Sequence, residues 1–438
     1  MREQELIVYR NFEDGGLLRD MVFLMEHYED SGCDTADMTA LLYDCIYRLI
    51  ELAGSHGFHG DLWHCYLANL LVGNENSYSM ACEIRGTVEG TINQAALHDI
   101  AIFKEFYDFD FGAVAEHLGV PEYELIRDYR VSSRESKVYN RRICGRICEL
   151  AERFQADHSP EEMKATLTEF YKDYGVGKFG LHKAFRIAHG EKGVEVEPIL
   201  NIAHVKLSDL VGYEVAKQKL VENTEAFVSG RKANNCLLYG DAGTGKSSSI
   251  KGIVNEYYDR GLRIIEVYKH QFQDLNDVIA RIKNRNYKFI LYMDDLSFEE
   301  FEIEYKYLKA VIEGGLEKKP DNVLIYATSN RRHLVREKFS DKEEREDDLH
   351  KGDTVAEKLS LVSRFGVTIY FGAPDQKQFR EIVTALAERN GIRMEEQQLL
   401  LEANRWELSH GGLSGRTAQQ FIDYLSGSRL ADEERESV

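Results

Sequence analysis

The chain has 438 residues, 43% hydrophobic and 30% charged, which is room for two or three globular domains and excludes a disordered or fibrous chain. Its net charge of −20 is uneven: residues 1–120 carry 6 Lys and Arg against 21 Asp and Glu, so the front third repels phosphate backbones and argues against nucleic-acid binding there. No apolar run is long enough for a membrane span, MREQELIVYRNFEDGG lacks a secretion-signal core, and seven scattered cysteines include no CxxC pair; a cytoplasmic chain with reduced thiols and no membrane partner is expected.

Up to about residue 190 the pattern is helical. MVFLMEHYED, TALLYDCIYRLIELAG, LWHCYLANLL and RRICGRICELAERF return apolar residues every three or four positions. Polar breaks such as GSHGFHG, VGNENS and QADHSP separate them. His56, His59, His64 and Cys65 crowd into HGFHGDLWHC, but the spacing matches no zinc pattern, and ordinary packing is expected. Cys144 and Cys148, one helical turn apart, read as a buried stripe. Arg134, Lys137, Arg141, Arg142 and Arg146 form a basic cluster, read as a solvated helix face or else as a docking patch for nucleic acid or an acidic surface. Residues 191–204 lose helical periodicity around a proline and are expected to be a linker after a mainly helical N-terminal domain, residues 1–190.

From residue 205 strands and helices alternate. NCLLY (235–239), RIIEVY (263–268), KFILYM (288–293), NVLIYAT (322–328) and GVTIYF (366–371) read as strands with helical segments between them. Such alternation predicts an α/β unit: a parallel sheet flanked by helices, with ligands at the strands' carboxyl ends. A helical stretch follows from about Asp375.

Gly240, Asp241, Ala242, Gly243, Thr244, Gly245, Lys246 and Ser247 match G-x-x-x-x-G-K-[ST] between a strand and a helix. Backbone N–H groups of such a loop, with Ser248 in the first turn of the helix, would cradle phosphates at a helix N-terminus. Lys246 would reach the β and γ phosphates of ATP and Ser247 would ligate Mg²⁺. Asp294 and Asp295 end the strand KFILYM. Asp294 is expected to hold Mg²⁺ and Asp295 to orient or deprotonate the attacking water; both could instead cap the next helix. ATPases usually carry glutamate at the second position, and a side chain one methylene shorter points to slow turnover or to a backbone set closer to the water.

Phosphate loop, Asp-Asp strand, NVLIYATSNRRHL, LVSRFG and GGLSGRTAQQF, in this order, resemble the AAA+ ATPases. LVGYEVAKQKLVENTEAF, DDLSFE, KLSLVSRFG and SGRTAQQFIDYL further resemble a bacterial AAA+ family without an assigned role, and the likeness runs over roughly residues 55–428. It implies an AAA+ P-loop NTPase core over 205–372 and a helical lid over 373–428; beyond it residues 429–438 read as an acidic tail. It also implies that Leu210, Val211, Gly212 and Tyr213 pack against the adenine. Asn330 would be sensor 1, Arg364 the arginine finger offered to a neighbouring subunit, and Arg416 sensor 2 on the lid, behind the helix cap Ser414. A surface role or an internal ion pair is the other reading for the arginines. DKEEREDDLH (341–350) is expected to be an exposed loop or helix end, and its position just before Arg364 leaves room for a role at a subunit boundary.

The expectation is therefore an ATP-binding, Mg²⁺-dependent, ATP-hydrolysing protein that assembles as a homo-oligomer through its ATP site. It would remodel or regulate an unidentified protein partner through the N-terminal helices. An ATP-gated scaffold with slow turnover, or a loader-like nucleic-acid-associated ATPase, are the alternatives.

Overall fold

The structure, a computed structural model, describes residues 2–12, 14–30, 32–130, 136, 138–139, 141–190, 193–200, 202–203, 205–298, 303–313, 320–330, 334 and 361–436, with side chains to 427. Arg134, Lys137 and the 341–350 run lie outside the described residues. The chain divides into two units, Met1–His182 and Lys183–Val438.

The first unit is helical: α1 (Gly15–His27), α2 (Thr35–His56), α3 (Leu62–Gly73), α4 (Ser77–Arg85), α5 (Thr91–Asp108), α6 (Phe111–Leu118), α7 (Arg141–Ala156), α8 (Pro160–Tyr174) and α9 (Gly177–Leu181). Side-chain caps start several of them. Asp34 accepts from the N–H of Ala36, Asp61 from that of His64, and Ser159 from that of Glu162. Helix α3 is apolar on nearly every face and buried almost throughout, so it forms the centre of the unit, packed against α2, α5 and α7. Asp99, fully buried, accepts hydrogen bonds from the backbone N–H groups of Ile7, Val8 and Tyr9. That pins the N-terminal segment to α5 and satisfies a carboxylate that would otherwise be costly to bury.

In the second unit the elements are β1 (Ala184–Gly190), β2 (Gly193–Pro198), α10 (Glu214–Val228), β3 (Cys236–Gly240), α11 (Lys246–Tyr257), β4 (Leu262–Glu266), α12 (Leu275–Ile282), β5 (Lys288–Met293), α13 (Glu304–Glu313), β6 (Val323–Ser329), β7 (Val367–Phe371), α14 (Gln376–Arg389), α15 (Glu396–Ser409) and α16 (Gly415–Glu436). Among the described residues the sheet runs β2-β1-β4-β5-β6-β3-β7, parallel except for the β1–β2 hairpin. Strands β5 and β6 are buried along nearly their whole length, as expected of parallel strands covered on both faces. The chain leaves β3 for β4, three places away in the sheet, and returns to β3's other side as β7. The reversal opens a crevice at the carboxyl end of β3.

The expected linker is corrected. Residues 193–198 are strand β2, and β1 pairs with β4 in the register Ala184↔Ile264, so the sheet begins at residue 184 and the unit boundary falls at His182 rather than near 190. The alternation Val194-Glu195-Val196-Glu197 belongs to a half-exposed edge strand; along the sequence its period of two shows only as a lapse of helical periodicity.

The lid helices close around Phe379, Ile382, Val383, Leu399, Phe421 and Ile422. The last helix continues to Glu436, so its backbone runs through the expected acidic tail. No helix of the described residues is long and apolar enough to cross a membrane.

Candidate functional site

The loop after β3 owes its path to glycine. Gly240 has φ +137°, and a Cβ there would lie 2.0 Å from the carbonyl oxygen of Phe371 on β7. Only a residue without a side chain lets the strand end pass so close to its neighbour. Gly243, at φ +75°, brings the loop against the lid: its carbonyl accepts from the Arg416 N–H at 3.2 Å, and an added Cβ would meet Ser414 Oγ at 3.0 Å.

Lys246 begins α11 and is 6% exposed. Its ammonium donates to the carbonyls of Gly240 (3.0 Å) and Asp241 (2.6 Å). Burial holds its pKa below the usual lysine value, against the opposing pull of Asp241, Asp295 and Asp294. A cation satisfied mainly by neutral carbonyls at a helix N-terminus is poised for an anion.

Strand β5 delivers the paired aspartates to the same place. The Ser247 hydroxyl donates to Asp294 Oδ1 at 2.8 Å, and Thr328 Oγ1 donates to that oxygen at 2.5 Å. Burial raises the Asp294 pKa, but the hydrogen bonds from Thr328 and Ser247 help to outweigh it, and the carboxyl ends below its usual value. Asp295 adopts φ +48°, a left-handed backbone that aspartate tolerates better than most residues. Its N–H donates to Thr328 Oγ1 at 2.9 Å and its carboxylate accepts from Asn330 Nδ2 at 2.8 Å.

Thr328 therefore positions both acids, a role that sequence reasoning missed. The signal lies in strand register: β5 pairs with β6 through Met293↔Ala327, so Asp294 and Thr328 are the next residues along the two strands.

Leu210, Val211 and Tyr213 form one wall of a cavity of about 900 Å³. Gly212 (φ +79°) and Tyr213 (φ +60°) turn the segment. The Tyr213 hydroxyl donates to the Gly372 carbonyl at 3.0 Å, and burial, followed by the charge of Asp241, pushes its pKa up to about 12. From the loop side come Ala242 to Ser248, from the strand ends Asp294, Asp295, Thr328 and Asn330, and from the lid Ile382, Leu386, Arg389 and Arg416. The guanidinium of Arg389 donates to the carbonyls of Asp209 (2.5 Å) and Ser208 (3.0 Å), fastening lid helix α14 to the 208–213 segment. Ser414 caps α16 as expected, accepting from the Thr417 N–H at 3.0 Å.

Gly212, Gly240 and Asp241 do not line this cavity. Arg364 does not line the cavity; it is ion-paired with Glu313 of α13.

Mg²⁺ with ligands at about 2.0–2.1 Å spaces adjacent donors about 2.9 Å apart. Ser247 Oγ and Asp294 Oδ1, two hard oxygens of which one is anionic, stand 2.8 Å apart and fit that spacing.

A family described as "Protein of unknown function (DUF815)" matches residues 180–429. The chain belongs to the DUF815 family. The match covers the sheet and lid of this DUF815 chain and leaves residues 55–179 outside it, so the likeness drawn from the sequence is confirmed only in its second part. The "Replication factor C large subunit" of Staphylothermus marinus is 34% identical over 74 residues, which is 17% of each protein. Two structures of Thermotoga maritima RuvB are also similar. The one titled "Holliday junction branch migration motor" has a TM-score of 0.32 and 14% identity over 50% of this chain and 72% of that one. A point mutant of the same RuvB has a TM-score of 0.33 and 14% identity over 51% of this chain and 73% of that one. In this DUF815 chain the phosphate loop, the paired strand-end acids and the C-terminal helical lid meet on one mostly parallel sheet, the arrangement that the resemblance to AAA+ ATPases implies.

Proposed function

We propose that this DUF815 protein binds ATP in the cavity between phosphate loop and lid, hydrolyses it slowly as a single chain, and turns over faster when a second copy completes the site. The observation that carries this reading is the meeting of Lys246, Ser247, Asp294, Asp295, Asn330 and Arg416 around one cavity, although they come from four separate stretches of sequence. Lys246 exchanges its loop carbonyls for the β and γ phosphates. Arg416 closes on the phosphates from the lid. Asn330 and Asp295, already bonded to each other, hold the attacking water, and Asp295 accepts its proton. Ser247 and Asp294 would hold Mg²⁺, whose chemistry there is neutralisation of phosphate charge. Leu210, Val211 and Tyr213 receive the adenine.

Arg364 lies away from its own cavity, which suits a finger for a neighbour's γ phosphate. Assembly and remodelling of a protein partner by the helical unit follow from this reading. A second reading, an ATP-gated scaffold, draws support from the Arg364–Glu313 pair, which occupies the finger's charge within one chain.

Sizing the purified chain with and without ATP, with phosphate release measured on the same sample, tests both. ATP-dependent assembly accompanied by turnover supports the first reading, assembly without turnover the scaffold, and neither response removes both. A loader-like role predicts DNA binding that falls steeply with salt; no binding at low salt ends it.

A further inference from the structure

We propose that His59, Cys65, Cys144 and Cys148 form a structural zinc site within the helical unit. His56 and His64 behave as ordinary packing: His56 stacks on Phe58, and His64 stacks on Tyr107 with Nε2 on its carbonyl at 3.0 Å. Their neighbours in sequence do not. A ring nitrogen of His59 and the Sγ atoms of Cys144 and Cys148 lie within 4.8 Å of one another, and Cys65 Sγ stands 3.7 Å from Cys148 Sγ.

Two of the donor separations match a coordination tetrahedron, and Cys65 would complete it by a shift of its side chain towards His59 and Cys144. Zn–S bonds of about 2.3 Å and Zn–N bonds of about 2.0–2.1 Å put two sulfurs about 3.8 Å apart and sulfur and nitrogen about 3.5 Å apart. The observed separations are 3.7 Å for Cys65 to Cys148 and 3.5 Å for Cys148 Sγ to His59 Nδ1. A disulfide would need about 2.05 Å, and all three cysteines are free thiols.

The fold brings the donors from two places. Cys144 and Cys148 project from one face of α7, a turn apart, while Cys65 sits in the first turn of α3 and His59 in the turn before it. Gly57 and Gly60, both at φ +81°, shape that turn, and a Cβ on Gly57 would touch Cys144 Sγ at 3.5 Å. The three thiols are buried and His59 is exposed, which leaves an ion a way in. Without metal, the Cys144 thiol donates to the Gly57 carbonyl (2.7 Å) and Cys65 to that of His59 (3.4 Å). Binding Zn²⁺ replaces three S–H bonds with metal–sulfur bonds and releases three protons, leaving a site of net charge −1 with a neutral imidazole. Three thiolates and an imidazole select zinc among common divalent ions. Four protein ligands close the coordination sphere, so the ion's work is to staple the 57–65 turn to α7.

The test is metal analysis of the full chain purified without chelator. About one zinc per chain is expected, retained by Cys33→Ser and lost in Cys148→Ser and Cys144→Ser. Replacement with Co²⁺ should give the intense visible bands of tetrahedral thiolate coordination. As a check independent of variant folding, mercurial titration of the wild-type chain should release zinc to a colorimetric dye in step with thiol blocking. The proposal is overturned if the reduced wild-type chain takes up neither Zn²⁺ nor Co²⁺. A Cys65–Cys148 disulfide in the metal-free chain, or zinc retained by both Cys148→Ser and His59→Ala, overturns it as well.

Discussion

Ser247 and Thr328 both donate to one oxygen of Asp294, at 2.8 and 2.5 Å. The phosphate-loop helix and the two central strands therefore meet at a single carboxylate, the place where a divalent ion would bridge protein and phosphate.

The first expectation concerns Lys246. Hydrogen bonds to charged groups contribute about 1.5–3 kcal/mol, so Lys246→Ala should weaken ATP binding by roughly 10- to 100-fold. Calorimetric titration checks it; an unchanged affinity removes the phosphate loop from the site.

Asp294 sets a pH dependence. Its carboxyl lies below the ordinary 3.8 in the folded chain, so the unfolded chain binds the proton more readily. The stability it adds is complete above about pH 5 and is lost as pH falls through 3.8 and below. Urea unfolding of wild type and Asp294→Asn should differ most at pH 7, and the gap should shrink towards pH 3.5. A constant gap would mean that the hydroxyls do not favour the carboxylate.

Asp295 and Asn330 act as a pair. Under the proposed function Asp295, at φ +48° with its carboxylate 2.8 Å from the Asn330 amide, is expected to reach the attacking water through its backbone position despite the short side chain. Asp295→Glu should therefore lower turnover rather than raise it, by about a hundredfold for a displacement near 1 Å. Asp295→Asn keeps the backbone preference and should lose turnover while binding ATP normally. Phosphate release at saturating ATP decides; a faster Glu variant would refute the compensation.

For Arg364 the ion pair with Glu313 competes with any role between subunits. Arg364→Ala should preserve ATP affinity and reduce assembly-stimulated turnover by about 10³–10⁵. Mixing it with Lys246→Ala should recover part of the activity, provided that co-assembly is verified by sizing. Glu313→Gln, which releases the guanidinium, should raise turnover at a given protein concentration.

The β3, β4, β5 and β6 strands were legible because largely buried parallel strands read as apolar runs closed by turn residues, and the half-exposed strand β7 because VTIYF is β-branched and aromatic. The phosphate loop was legible because its spacing is dictated by local backbone geometry. The β1–β2 hairpin was not: β2 is an edge strand with polar residues alternating, and only the pairing of β1 with β4 places the hairpin in the sheet.

What the amino-acid order determined alone was each piece of local chemistry: a loop that curls around anions, acids at a strand's end, a capped helix carrying Arg416. Which pieces face one another was decided by tertiary packing. Strand register set Thr328 beside Asp294, and the close approach of α3 and α7 brought Cys65 and His59 to Cys148 across more than eighty positions of chain. Local conformation depends on neighbours a few residues away, whereas these juxtapositions depend on which buried surfaces fill each other's space, and no single stretch of sequence carries that information.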